Sequence, residues 1–183
     1  FDRATDGTLT QKAGTAGCIV NEPSTDIAGC DNTGKALNSA LSVSISPDGT
    51  SAYVASFDSH AVAIFERAIN GTLTQKAGTA GCIVNDASTD IAGCDNTGKA
   101  LEGAQSVTVS PDGTSAYVAS SSSDAVAVFE RATDGTLTQK ADPNGCIVNA
   151  PHAAIAGCDN TGKALDTAYS VTVSPDGTSV YVA

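Results

Sequence analysis

Six cysteines fall in three pairs, Cys18/Cys30, Cys82/Cys94 and Cys146/Cys158, each with the spacing C-x11-C. Two chemistries use thiols in this pattern. An even count at fixed spacing suits disulfides in an oxidising compartment. The rival is a metal site. Structural zinc takes four Cys or His ligands, yet no CxxC and no repeated His exists to complete a set within one pair. The residues therefore favour disulfides. Closing a loop of this size is worth about 3 kcal/mol in the chain-entropy account.

The other chemistry-bearing residues are few. His60 aligns with Asp124, and His152 aligns with Ser24 and Ser88. Neither histidine recurs and neither has an evident partner, so both read as loop residues, and no catalytic residue is assigned. The run Asp31-Asn32-Thr33-Gly34-Lys35 returns at Asp95 and at Asp159. Oxygen ligands around a glycine turn are calcium chemistry, which makes Asp31, Asp95 and Asp159 candidates. An Asx-type turn that closes the cysteine loop is the rival account. Asp26 and Asp90 add little as ligands, because Ala154 takes their place in the third copy. Asn70-Gly71-Thr72 is a glycosylation sequon. A hairpin turn explains it equally, since Asp6 and Asp134 occupy that place elsewhere. No cofactor is expected.

What must position these groups is a tandem repeat. Phe1, Phe65 and Phe129 open matching segments, and every offset is 64. Residues 1–64 and 65–128 differ at only 14 positions, with no insertion. The units are 1–64, 65–128 and an incomplete 129–183. Within a unit, residues 42–46 alternate polar and apolar, the period of a strand. Ser46-Pro47-Asp48-Gly49 is turn chemistry, and 52–55 is the return strand. Residues 61–65 are apolar on both faces, as in a strand covered on both sides. Asn70-Gly71 signals a hairpin, and 73–76 is a polar fourth strand suited to an edge. The expected fold class is all-β: tandem four-stranded antiparallel blades of the β-propeller type, each with a cysteine-bridged loop insertion. That insertion spans 78–101. It shows no helical stripe, with room for a single turn near 88–92.

Composition limits the rest. Net charge is −11, and the nine basic residues are spread in three-fold series. Nucleic-acid binding needs a basic cluster, so that class is set aside. No apolar run has the ~20 residues of a membrane helix. The sequence opens at Phe1, with no basic leader, and so reads as processed, trimmed or partial.

The segments 109–120, VSPDGTSAYVAS, and 125–139, AVAVFERATDGTLTQ, resemble the YVTN/lactonase-like β-propeller repeats of secreted bacterial proteins. The cysteine loop is similar to that of a bacterial subgroup with a disulfide loop between blades. The resemblance implies a propeller at an extracellular or cell-surface location. Some members of that family are lactonases or muconate-lactonizing enzymes. No lactonase catalytic residue can be carried onto a position of this chain.

Two function classes follow. The first is an extracellular structural repeat protein that self-associates into a larger ring or filament. Near-identical copies and the lack of a singular site favour it. Blades would be completed across termini or chains, or by more of the same array. The second is a lactonase-like propeller enzyme or small-ligand binder, which needs unlike polar groups around one site. The cysteine pairing is tested directly: intact mass without reductant is expected to be six hydrogens below that of the six free thiols.

Overall fold

The computed structural model describes residues 1–23, 27–86, 91–151 and 155–183. Strands β1 (Asp2–Arg3) and β2 (Leu9–Thr10) form an antiparallel hairpin. Strands β3 (Ile19–Asn21) and β4 (Asn32–Gly34) lie parallel. A full blade follows, made of β5 (Ala40–Ile45), β6 (Ser51–Ser56), β7 (Ala61–Arg67), β8 (Leu73–Gln75), β9 (Cys82–Asn85) and β10 (Asn96–Gly98). The second full blade repeats it with β11 (Ala104–Val109), β12 (Ser115–Ser120), β13 (Ala125–Arg131), β14 (Leu137–Gln139), β15 (Cys146–Asn149) and β16 (Asn160–Gly162). Strands β17 (Val171–Val173) and β18 (Val180–Val182) form a last antiparallel hairpin.

The four strands expected from alternation and turns fall in place, and β5, β6, β7 and β8 pair antiparallel in sequence order. Each Pro-Asp-Gly turn is built by its aspartate. Asp48 accepts from Ser46 Oγ at 2.5 Å and from the Thr50 amide at 3.0 Å. Gly49 supplies φ +71°, which returns the chain into β6.

The segment 78–101, read as an insertion outside the four strands, contributes two strands of its own. Strand β9 pairs antiparallel with the first half of β7, at 61–63, while β8 takes its second half, at 65–67. The outer edge is therefore shared, and β10 adds parallel to β9 beyond it. The Asn-Thr-Gly run is that added strand, not an Asx turn. Among the described residues the helical segments are single 3₁₀ turns at Gly14–Ala16 and Gly78–Ala80, and most of the stretch 88–92 lies outside the described residues.

Blades stack face to face, and this is where the core lies. Tyr53, Val62, Ile64 and Ile83 of one blade share a buried cluster with Val107, Phe129 and Leu137 of the next. The opposite face of the first blade, with Ala52, Ala63 and Phe65, packs toward Ile19 and Leu37. Strand β7 is buried on both faces from Ala61 to Phe65, as its unbroken apolar run requires. Many core positions are alanine, fully buried at 52, 55, 61 and 63. Small side chains let neighbouring sheets approach closely.

Polar ties cross the seam at three depths. Near the inner strands, the Val107 amide donates to Ser42 Oγ at 3.2 Å. Near the outer edge, Gln139 Nε2 donates to the Lys99 carbonyl at 3.0 Å, and Gln139 Oε1 accepts from the Lys99 amide at 2.7 Å. Between them, Arg131 reaches back one blade. Its Nε donates to Tyr53 Oη at 2.7 Å and its Nη2 to Asp48 Oδ2 at 2.8 Å. Tyr53 in turn donates to the Gly135 carbonyl at 2.8 Å. Burial pushes the Tyr53 pKa up, which keeps that proton in place. Asp48 is held well below its ordinary 3.8, first by Ser46 and Thr50 and then by Arg131.

Arg67, one unit earlier, bonds the Gly49 carbonyl of its own blade at 3.1 Å. Arg131→Ala is thus expected to cost about 2 kcal/mol in urea unfolding, and Arg67→Ala clearly less. Because the Asp48 value is depressed on folding, its contribution is present above pH 3.8 and is lost as pH falls below it. The gap between Arg131→Ala and the parent should narrow in that acid range.

Candidate functional site

Each cysteine pair forms a disulfide, with Cα atoms 5.4, 5.4 and 5.3 Å apart. The local reason is the parallel strand pair. Parallel neighbours ordinarily need a crossover of a dozen or more residues, and here the link from Asn85 to Asn96 is short. Cys82 opens β9, and Cys94 stands two residues ahead of β10. The bond ties the start of β9 to the end of the crossover, just ahead of β10. Gly98 must then lie close: a Cβ there would meet Ile83 Cγ2 at 3.1 Å.

Asp31, Asp95 and Asp159 are exposed and directly follow Cys30, Cys94 and Cys158. Among the described residues, no group of three or more Cys, His, Asp or Glu converges to hold a metal. Asn70 is exposed at the β7–β8 hairpin, where its Oδ1 accepts from the Thr72 amide at 3.0 Å. Asp134 makes the same bond to the Thr136 amide at 2.9 Å, so either residue builds the turn. His152 and Asp26 lie outside the described residues, as does Asp90.

His60 has a partner that the sequence does not reveal. Its Nδ1 accepts from the Gly103 amide at 2.9 Å, in the loop that leads into the next blade. Asp124 does the same for the Thr167 amide at 2.6 Å. Histidine and aspartate alternate here because both present an acceptor. Accepting at Nδ1 places the neutral imidazole proton on Nε2.

Around His60, two loops meet at one end of the blade. One runs from β4 to β5, the other from β6 to β7. The Asn38 amide donates to Ser59 Oγ at 2.9 Å, the Phe57 amide to the Ser39 carbonyl at 2.9 Å, and Ser39 Oγ to Asp58 Oδ2. The Phe57 and His60 rings lie 6.5 Å apart. A polar cleft of about 200 Å³ opens there, lined by Glu22, Asn38, Asp58, Ser59 and His60 among others.

Several of the positions at which the repeat departs from itself meet at this end. In the next unit Asn38, Ser39, Phe57, Asp58 and His60 become Glu102, Gly103, Ser121, Ser122 and Asp124. Read along the chain these changes are scattered surface drift. Folded, they lie together. The pattern was visible as two short clusters of difference, at 38 and 39 and at 57, 58 and 60, but their meeting depends on pairing across the sheet.

No family model matches the chain, and no curated protein matches it. Solved structures do. The chain is similar to a candidate 6-phosphogluconolactonase from Bacteroides uniformis, at 20% identity and a TM-score of 0.53, over 98% of this chain and 41% of that one. A candidate 6-phosphogluconolactonase from Bacteroides fragilis matches at 23% and 0.49, over 76% and 30%. The periplasmic gluconolactonase of Pseudomonas aeruginosa matches at 20% and 0.48, over 78% and 35%. The chain spans less than half the length of each. No helix among the described residues is long and apolar enough to cross a membrane.

Replacing Cys82 and Cys94 together by alanine is expected to cost about 3 kcal/mol in denaturant unfolding. Adding reductant to the parent opens all three bonds and should cost more than this variant. The likeness at 20% identity is one of fold, and the chain's fold is built of β-propeller-type blades.

Proposed function

We propose that this chain serves in a propeller that binds a small, oxygen-rich ligand of the lactone type at the loop end of its blades. One observation carries the reading. Six of the 14 differences between the first two units, at 22, 38, 39, 57, 58 and 60, fall at or beside a single polar cleft. A site made from copies needs unlike groups around one ligand, and this is the place where unlike groups occur.

The chemistry at the cleft suits a polyhydroxylated ring. Glu22 and Asp58 are carboxylate acceptors, Asn38 offers both a donor and an acceptor, and His60 keeps Nε2–H as a donor. Lactone hydrolysis needs a base to activate water and a donor for the developing oxyanion. Asp58 and His60 are the groups of those types at this cleft. The lactone class itself is suggested by the Bacteroides uniformis protein that shares the fold. The disulfides support a location outside the reducing cytoplasm, periplasmic or extracellular.

The test is a titration of the whole chain with glucono-δ-lactone and with gluconate, followed by NMR, beside an assay of acid release. His60→Asp keeps an acceptor for the Gly103 amide, as Asp124 does for Thr167, while removing the imidazole. That variant and Asp58→Asn are each expected to weaken binding at least about tenfold. A flat titration, or equal binding by both variants and the parent, would sink the reading.

A further inference from the structure

We propose that Gly103, at the entry to the second full blade, is a positioning residue for His60, so that two neighbouring blades set the cleft together. The inference rests on the ligand reading above and deepens it.

The backbone around His60 is fixed from both blades. Its carbonyl accepts from the Asn85 amide at 2.8 Å. Asn85 Oδ1 accepts in turn from the Leu101 amide at 3.1 Å. Two residues on, the Gly103 amide reaches His60 Nδ1. The entry loop is also strapped to its own blade. The Gly103 carbonyl accepts from the Ser121 amide at 3.0 Å, and the Glu102 carbonyl from the Ser123 amide at 3.1 Å. One unit later the same frame returns. The Asn149 amide donates to the Asp124 carbonyl at 2.8 Å, Asn149 Oδ1 accepts from the Leu165 amide at 3.0 Å, and the Thr167 amide reaches Asp124 Oδ1. The φ angles of His60 and Asp124 match as well, at +49° and +48°.

What differs between the two seams is bulk. Gly103 is buried, and a Cβ there would lie 3.0 Å from Phe57 Cε2 across the seam and 2.5 Å from Ser122 Oγ of its own blade. Ser122 Oγ can swing to another rotamer. The Phe57 ring has less room, because its amide donates to the Ser39 carbonyl at 2.9 Å and its carbonyl accepts from the His60 amide at 3.1 Å. Backbone conformation alone does not call for glycine. Ser39 and Thr167 hold this place in the other units at φ +52° and +56°, against +66° at Gly103. In the next unit Ser121 replaces Phe57, and Thr167 replaces Gly103. A large residue is followed across the seam by the smallest, and a small one by a branched one. Added bulk in a packed place is costly, so the two positions change together.

The pairing bears on the cleft through the imidazole. Gly103 does not line the cleft and acts through His60. A side chain held by a neighbour's hydrogen bond is preorganised for its ligand. With Nδ1 engaged as acceptor, Nε2–H is the donor left to offer.

NMR on the isotope-labelled whole chain tests this without a ligand. A scalar coupling across the hydrogen bond, between the Gly103 amide nitrogen and His60 Nδ1, is expected in the parent. Gly103→Thr sets the residue of position 167 against Phe57. It should lose the coupling and bind glucono-δ-lactone at least about tenfold more weakly. Adding Phe57→Ser rebuilds the pairing of the next seam and should restore the coupling and most of the affinity. Circular dichroism is expected to show this double variant folded, which keeps the test decisive where the single variant is unstable. A parent without the coupling overturns the proposal. So does a Gly103→Thr chain that keeps the coupling or the affinity, or a double variant that fails to recover the coupling. Coupling that follows the pairing in a parent that ignores the lactone supports the positioning of His60 and sinks the ligand reading alone. Lactone binding alike in all three chains sinks the positioning alone.

Discussion

Every blade here is apolar on both faces, and only another blade can cover it. The run 61–65 is buried on each side because sheets stand in front of it and behind it. Burial of that kind supplies the main driving force, roughly 25 cal/mol for each Å² of apolar surface. It also forbids a blade from standing alone. The alanines follow from this constraint, since close sheets leave little space between them. The Ser42, Arg131 and Gln139 contacts follow as well. They satisfy polar groups at the seam and fix one blade's register against the next.

Alternation and turn chemistry were enough to place β5 to β8. Residues 42–46 and the Ser-Pro-Asp-Gly turn are local signals, and local signals are legible. Strands β9 and β10 were not. Cys82–Asn85 is too short to show a period, and Asn96–Gly98 has the composition of a turn. What makes them strands is a partner on β7 and a disulfide that holds a parallel pair. Both are tertiary facts. His60 was hidden for the same reason, because its partner Gly103 is 43 residues away. The Asp124–Thr167 bond has the same separation, so the repeat contained the clue only once the fold was known.

The copies and the cleft pull in opposite directions. Identical units keep every seam alike, so a change in the core must suit two neighbours at once. Changes at the loop end meet a narrower demand, such as an acceptor at position 60 or 124 for an amide in the loop into the next blade. That is why Asn38, Ser39, Phe57, Asp58 and His60 can differ from unit to unit while Tyr53 and Tyr117 stay the same. A stacked scaffold with one permissive rim can diversify its chemistry without disturbing its seams.

The clamp between Cys82 and Cys94 has a mechanical side. Their separation of 12 residues is closed to 5.4 Å between Cα atoms. A chain drawn out straight spans about 3.4 Å per residue. Each intact bond therefore withholds about 35 Å of contour from any pulling force. A protein with one such bond per unit carries a store of slack that tension alone cannot reach. Release depends on the thiol chemistry of the surroundings, so extensibility is set by the redox environment as well as by load.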